Sequence, residues 1–202
     1  MKKMLYLSLV MFCIITACNN KSSKELNESA NAKAKAGNFK DAIVDYDKAI
    51  ELDTGNVQAI YQRANTKTCI ADFKGAILDY RRVIKRQPQD GNAYFCRGNS
   101  KKASDDFTGA IADMDKAIQL NSKDPKAYQV RGFCKMKIGN QAEALADLDK
   151  AIELDRKLPD AYLNRGILKL ETGLKMEACA DFAKASELGM KEADDLIKKN
   201  CK

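Results

Sequence analysis

The chain alternates two kinds of amphipathic stretch. Across residues 125–158, Ala127, Tyr128, Arg131, Gly132 and Lys135 recur at helical spacing. Gly139-Asn140 interrupts them, and Ala144, Leu145, Leu148, Ala151 and Ile152 resume the pattern. The same pair of stripes can be laid along the chain five times. Ala42, Ala76, Ala110, Ala144 and Ala178 stand 34 residues apart. Asp45, Asp79, Asp113, Asp147 and Asp181 each follow one of these alanines by three residues, and Lys33, Lys67, Lys101, Lys135 and Lys169 precede them by nine. Arg63, Arg97, Arg131 and Arg165 hold one further register. Identical spacing without insertion is the mark of stacked structural repeats. The pattern predicts an all-α, right-handed α-solenoid of five 34-residue helix-turn-helix units, 23–56, 57–90, 91–124, 125–158 and 159–188, with a capping helix in 189–202. Gly37-Asn38 and Gly173 mark the same break in other units, and Pro125 and Pro159 fall where a first helical turn accepts proline. Gly98, Gly132 and Gly166 sit inside first helices, where glycine costs about 1 kcal/mol relative to alanine. Their recurrence predicts close approach of the second helix.

The first residues follow a different rule. Lys2 and Lys3 precede an apolar run, Leu5–Ile15, broken only by Ser8, and Thr16-Ala17-Cys18 follows. A basic start, a short apolar core and small residues before a cut read as a secretory signal over 1–17, too short to span a bilayer comfortably. Ile15-Thr16-Ala17-Cys18 resembles the lipobox of bacterial lipoproteins, which implies lipidation of Cys18 and anchoring to a membrane. A plain signal peptide with an incidental cysteine is the competing reading. Residues 18–22 form a polar tether that reaches under about 20 Å at about 3.5 Å per residue. Asn19 is not the acidic residue that retains some lipoproteins at the inner membrane, so the resemblance favours the outer membrane of a bacterial envelope.

The repeats resemble the tetratricopeptide repeat family. Tyr128, Gly132, Gly139, Ala144, Leu148 and Ala151 match that family's signature spacing in the fourth unit. Tyr94, Gly98, Phe107, Ala110 and Ala117 match it in the third, Phe39, Ala42, Tyr46 and Ala49 in the first, and Pro88 in the second. The chain departs from the family where the first-helix Leu and Tyr become Arg and Lys. Arg131 and Lys135 share a helical face, and Asp147 faces inward among small residues. The repeated Arg63, Arg97, Arg131 and Arg165 are therefore expected to pair with Asp45, Asp79, Asp113, Asp147 and Asp181, within or between units, as a structural ladder rather than an anion site.

Charge and composition narrow the function. The formal charge of +7 becomes about +5 once Lys2 and Lys3 are removed, and it is spread along the repeats rather than set among aromatic or Gly-rich readers. Nucleic acid is not an expected partner. The chain has no His, no Cys-x-x-Cys and no phosphate-binding loop, so no catalytic residue, metal site or cofactor is expected. Of seven cysteines, Cys13 lies in the signal and Cys18 is the lipidation candidate. A helical hairpin turning near Gly189 returns Cys201 toward Cys179, at about 18 and 15 Å from the turn. They form a disulfide candidate; two free thiols is the alternative.

In the family the first helices line a groove, and groove registers here vary between units. Asn31, Asn65 and Asn99 share one register, where the family often hydrogen-bonds an extended peptide. Tyr61, Phe95 and Lys102 lie nearby, and Phe133 and Met136 bring apolar surface as an anchor for a partner helix or peptide. For Ile167 and Leu170, packing against neighbouring helices competes with groove exposure. The resulting expectation is a lipid-anchored, non-enzymatic scaffold that holds a protein or peptide in a bacterial envelope. The alternative is an assembly subunit that binds a membrane complex through its outer face or edges.

Overall fold

A computed structural model describes residues 21–201. The expected signal segment, Cys18 and the start of the expected tether lie outside these residues. Eleven α-helices and no strand occur among the described residues. No helix among them is long and apolar enough to cross a membrane. The chain divides into two compact units at Ile70–Ala71. The boundary falls between the two helices of the expected 57–90 repeat.

The first unit holds α1 (Ser23–Lys35), α2 (Phe39–Leu52) and α3 (Val57–Cys69). α1 opens with a capping box: the Ser22 hydroxyl accepts from Glu25 N–H, and the Glu25 carboxylate accepts from Ser22 N–H. Gly37 ends the hairpin turn at φ +81°, in the left-handed region that needs no Cβ. α2 then packs on α1, and α3 packs on both. Their shared core is small: Ala30, Ala42, Ala49, Ala59 and Ala64 are fully buried, and Tyr46 and Ile60 fill the remaining volume.

The second unit holds α4 (Phe73–Arg86), α5 (Gly91–Ala103), α6 (Phe107–Leu120), α7 (Pro125–Lys137), α8 (Gln141–Leu154), α9 (Pro159–Glu171), α10 (Lys175–Glu187) and α11 (Lys191–Asn200). α5 pairs with α6, α7 with α8 and α9 with α10, and each hairpin packs on the next. Aspartate starts several of these helices. Asp72 accepts from Gly75 N–H, Asp106 from Gly109 N–H and Asp124 from Lys126 N–H, each filling an orphan donor of a helix start.

The glycines inside first helices permit the pairing. A Cβ on Gly132 would lie 3.1 Å from the Ala144 carbonyl oxygen and 3.0 Å from Leu148 Cγ. One on Gly166 would lie 2.6 Å from the Phe182 ring. The turn glycines follow another logic. Gly139 and Gly173 take φ +84° and +85°, and the same register holds Ala71 at φ 59° and Asp105 at φ 61°. Two non-glycine residues therefore sit in a conformation that costs an L-residue roughly 1–2 kcal/mol.

α11 closes the second unit against α10. Ala193 is buried, and Leu196 and Ile197 pack on a cluster of Tyr162, Leu163, Phe182 and Ala185. Ile167 and Leu170 pack partly on this cluster too. Cys179 and Cys201 are joined, with Cα atoms 5.7 Å apart, so the cap is stapled to the helix it covers.

Candidate functional site

The repeated charges meet in a regular way. Arg131 Nε donates to Asp147 Oδ2 at 2.9 Å, and Lys135 Nζ reaches the same oxygen at 3.0 Å. Arg97 and Lys101 converge on Asp113, and Arg165 and Lys169 on Asp181. These aspartates are 3–5 % exposed. A carboxylate that deep holds its charge only with hydrogen-bonded cations around it. Each arginine also stacks over a tyrosine one helical turn earlier: Arg97 over Tyr94, Arg131 over Tyr128 and Arg165 over Tyr162, at 5.4–5.6 Å.

A second carboxylate completes the arrangement and was missed in the sequence. Arg131 also donates to Asp115 at 2.7 Å and Arg165 to Asp149 at 2.7 Å, each aspartate standing on the preceding hairpin. One guanidinium thus bridges two hairpins. The bonds to Asp147 and Asp115 raise the Arg131 pKa despite burial, and those to Asp181 and Asp149 outweigh burial at Arg165. The signal was present: Asp115 and Asp149 are 34 residues apart, as are Asp47 and Arg81 in the same register. Arg97 lacks this second partner because that register holds Arg81.

The ladder is not uniform. The first repeat has Ser29 in the arginine register, so Asp45 accepts from Ser29 Oγ at 2.8 Å and pairs with Lys33 at 2.6 Å. Burial opposes the Asp45 charge, but Lys33 and Ser29 outweigh it and hold its pKa below the usual value. Arg63 donates to Asp47 at 2.6 Å. Asp79 lies 3.7 Å from Arg82.

Among the described residues, a cavity opens on the first helices of each unit. In the first unit a cavity of about 370 Å³ brings Asn31 and Asn65 together with Phe39, Tyr46, Gln62 and Cys69. The three asparagines of this register each make a hydrogen bond within the fold. Asn31 Oδ1 accepts from the Tyr46 hydroxyl at 2.7 Å, and Asn65 Nδ2 donates to Gln62 at 3.3 Å. Asn99 Nδ2 donates to the Phe95 carbonyl one turn back at 3.2 Å. A register places a side chain on a face; it does not leave its hydrogen bonds unclaimed. Tyr61 is half-buried on α3, and Phe95 packs partly against the α6–α7 core.

In the second unit Lys102, Phe133 and Met136 do come together. They line a cavity of about 420 Å³ with Leu163, Asn164 and Ile167. Phe133 meets Phe107 edge-on at 6.3 Å and carries Lys102 and Lys137 over its ring at 5.6 and 5.3 Å. Phe133 and Met136 are half-buried against the core as well as facing the cavity, so they form its floor rather than project from it. The Asn164 side chain, 8 % exposed, makes no hydrogen bond among the described residues. It stands among apolar and charged side chains, and nothing repeats it: the same register holds Gln62, Cys96 and Val130.

Among the described residues no cluster of three Cys, Asp or Glu could hold a metal ion. Cys134 is fully buried, and burial pushes its thiol up to about 11, away from the thiolate a nucleophile needs.

Residues 135–173 match a family profile described as TPR repeat. The fold is that of the tetratricopeptide repeat. A crystal structure of MamA shares 27% identity with the chain at a TM-score of 0.74, covering 82% of this chain and 96% of that one. A MamA fragment from Desulfovibrio magneticus RS-1 aligns at 16% identity and a TM-score of 0.78, over 84% and 96% of the two chains. YrrB, described as a TPR protein with an unusual peptide-binding site, aligns at 22% identity and a TM-score of 0.74, over 93% and 97%. No curated protein matches the chain.

Proposed function

We propose that this chain is a lipid-anchored scaffold of a bacterial cell envelope that holds a protein or peptide segment in the groove of its second unit. The observation that carries the reading is the cavity floored by Phe133 and Met136 with the unbonded Asn164 in its wall. The apolar floor offers an anchor for a partner side chain, and the polar and charged residues around it can fix the partner's orientation. The peptide-binding site named for YrrB supports the same use of this fold. The lipobox-like Ile15-Thr16-Ala17-Cys18 supports the anchor. The outer surface offers isolated apolar residues, such as Leu78 at 56% and Met176 at 85% exposure, and scattered exposed side chains of this kind are normal. That ranks the assembly-subunit reading second.

Two measurements test the reading. A photo-crosslinking residue in place of Phe133 should trap a partner in native membranes, and the same residue in place of Met176 should not. Trapping from position 176 alone would move the site to the outer face. Cys18→Ser should abolish acyl labelling and release the chain from membranes; persistent acylation of that variant would refute the anchor.

A further inference from the structure

The charges that line the second cavity differ from every charge of the ladder. The Lys102 and Lys137 ammonium groups stand over the Phe133 ring, and neither they nor Asp160, Glu171 and Glu192 form an ion pair among the described residues. The nearby ladder cations Lys101, Lys135 and Lys169 each have a carboxylate within about 3 Å. The unpaired charges are also sorted by sign. Lys102 and Lys137 come from α5 and α7, and both sit at one aromatic ring. The three carboxylates come from α9 and α11, so the sorting follows the helices that line the cavity. Asp160 and Glu171 are 11 positions apart on α9, so they spread negative charge along about 16 Å of that wall.

We propose that this cavity selects a peptide by charge polarity: one apolar side chain on the floor, an acidic residue on the α5–α7 side and a basic residue on the α9–α11 side. The inference rests on the groove reading above and adds the partner's chemistry to it. A purely anionic ligand would meet the two lysines but also three carboxylates. A purely cationic one would meet the carboxylates but also the paired ammonium groups on Phe133. Only a segment with both signs finds complementary charge on each wall, and the wrong order is penalised by like-charge contact. The volume suits one anchoring side chain with its neighbours. An extended peptide with charged residues two positions either side of the anchor spans about 13 Å.

The probes are fluorescein-labelled, end-blocked heptapeptides GEALAKG, GKALAEG, GEALAEG, GKALAKG and GQALAQG, read by anisotropy against the full chain. One of the two mixed-charge orders should bind at least about tenfold tighter than the neutral peptide and tighter than both like-charged ones. Lys102→Glu with Lys137→Glu should remove that preference. Adding Glu171→Lys and Glu192→Lys should move it to the other mixed order. These side chains are exposed or half-buried and bear no internal ion pair, so helicity read by circular dichroism should hold throughout. Binding without charge preference, preference for a like-charged peptide, or a mixed-charge preference that survives the lysine reversals would overturn the inference and leave the groove reading standing. Binding of no peptide would overturn both. Self-association abolished by the same reversals would assign the cavity to a second copy of the chain and overturn a peptide partner.

Discussion

Removing Asp113 should unfold the second unit far more readily than removing any exposed carboxylate. Asp113 is 3% exposed and accepts from Arg97 Nε at 2.9 Å and from Lys101 Nζ at 2.9 Å. Asp113→Ala leaves Arg97 without a carboxylate and Lys101 with only the Gly109 carbonyl at 3.2 Å, at sites where their side chains are only 16 and 18% exposed. Arg97 has no second carboxylate to fall back on, since Arg81 occupies the position that Asp115 and Asp149 fill for other arginines. Breaking a buried pair in this way costs about 3–5 kcal/mol. Asp147→Ala makes a graded control. Arg131 would keep Asp115, and Lys135 would keep Glu143 at 3.1 Å, so the loss should be nearer 2 kcal/mol, in the range of hydrogen bonds to charged groups. Asp106→Ala removes only a helix cap, worth about 1 kcal/mol. Asp115→Ala removes a 55% exposed partner and should cost under about 1 kcal/mol. Stacked repeats can unfold in more than one step, so the decisive quantity is the order of midpoints in urea, followed by ellipticity at 222 nm. The order should be Asp113→Ala lowest, then Asp147→Ala, Asp106→Ala and Asp115→Ala. Equal midpoints for Asp113→Ala and Asp106→Ala would refute a buried, stabilising ladder.

Ala71→Gly should raise stability by roughly 1 kcal/mol by relieving a left-handed residue, and Asp105→Gly by less, because aspartate tolerates that region better; thermal midpoints check both. Asp45 has a lowered pKa, so its contribution is present above the ordinary aspartate value near 4 and is lost as pH falls through the lower folded value. Asp45→Asn should flatten the acid limb of stability below about pH 4, measured by urea titration across that window. Iodoacetamide at pH 8 should label exposed Cys69 well before buried Cys134, whose thiol is raised to about 11; equal rates by mass spectrometry would contradict that burial. Cys201→Ser should cost about 3 kcal/mol, since the bond closes a loop of 22 residues, and limited proteolysis should then cut within 189–201 first.

What the sequence made legible follows from what a period can encode. A residue that recurs every 34 positions must meet the same neighbours each time, so the inward placement of Asp113, Asp147 and Asp181 and the small-residue contact at Gly132 and Gly166 could be read without coordinates. The starts of α1, α3, α5, α7 and α9 at Ser23, Val57, Gly91, Pro125 and Pro159 follow from the same period. Hydrogen-bond choice is not encoded in that way. Asn31 lies on the expected face, yet a tyrosine hydroxyl one hairpin arm away takes its carbonyl oxygen. Asn164 escaped because it belongs to no series. Asp115 escaped for a different reason: it is half-exposed, and solvated charge on a helix carries no periodic apolar context to mark it as a partner of Arg131.

The two sets of charges in the second unit point to a division of labour within each first helix. Arg131 and Lys135 face the second helix and are fully paired; Phe133 and Lys137, two positions on from each, face the cavity. A helix turns about 200° in two residues, so alternate positions lie on nearly opposite sides. The ladder therefore satisfies its own charges without drawing on groove residues. Groove positions are left free to differ between repeats, as they do in the change from Asn99 to Phe133 to Ile167. A solenoid whose stability rested on groove contacts could not vary them so freely. The internal ion pairs thus leave the lysines and carboxylates of the cavity outside the fold's own charge pairing, which is the condition the proposed partner contact requires.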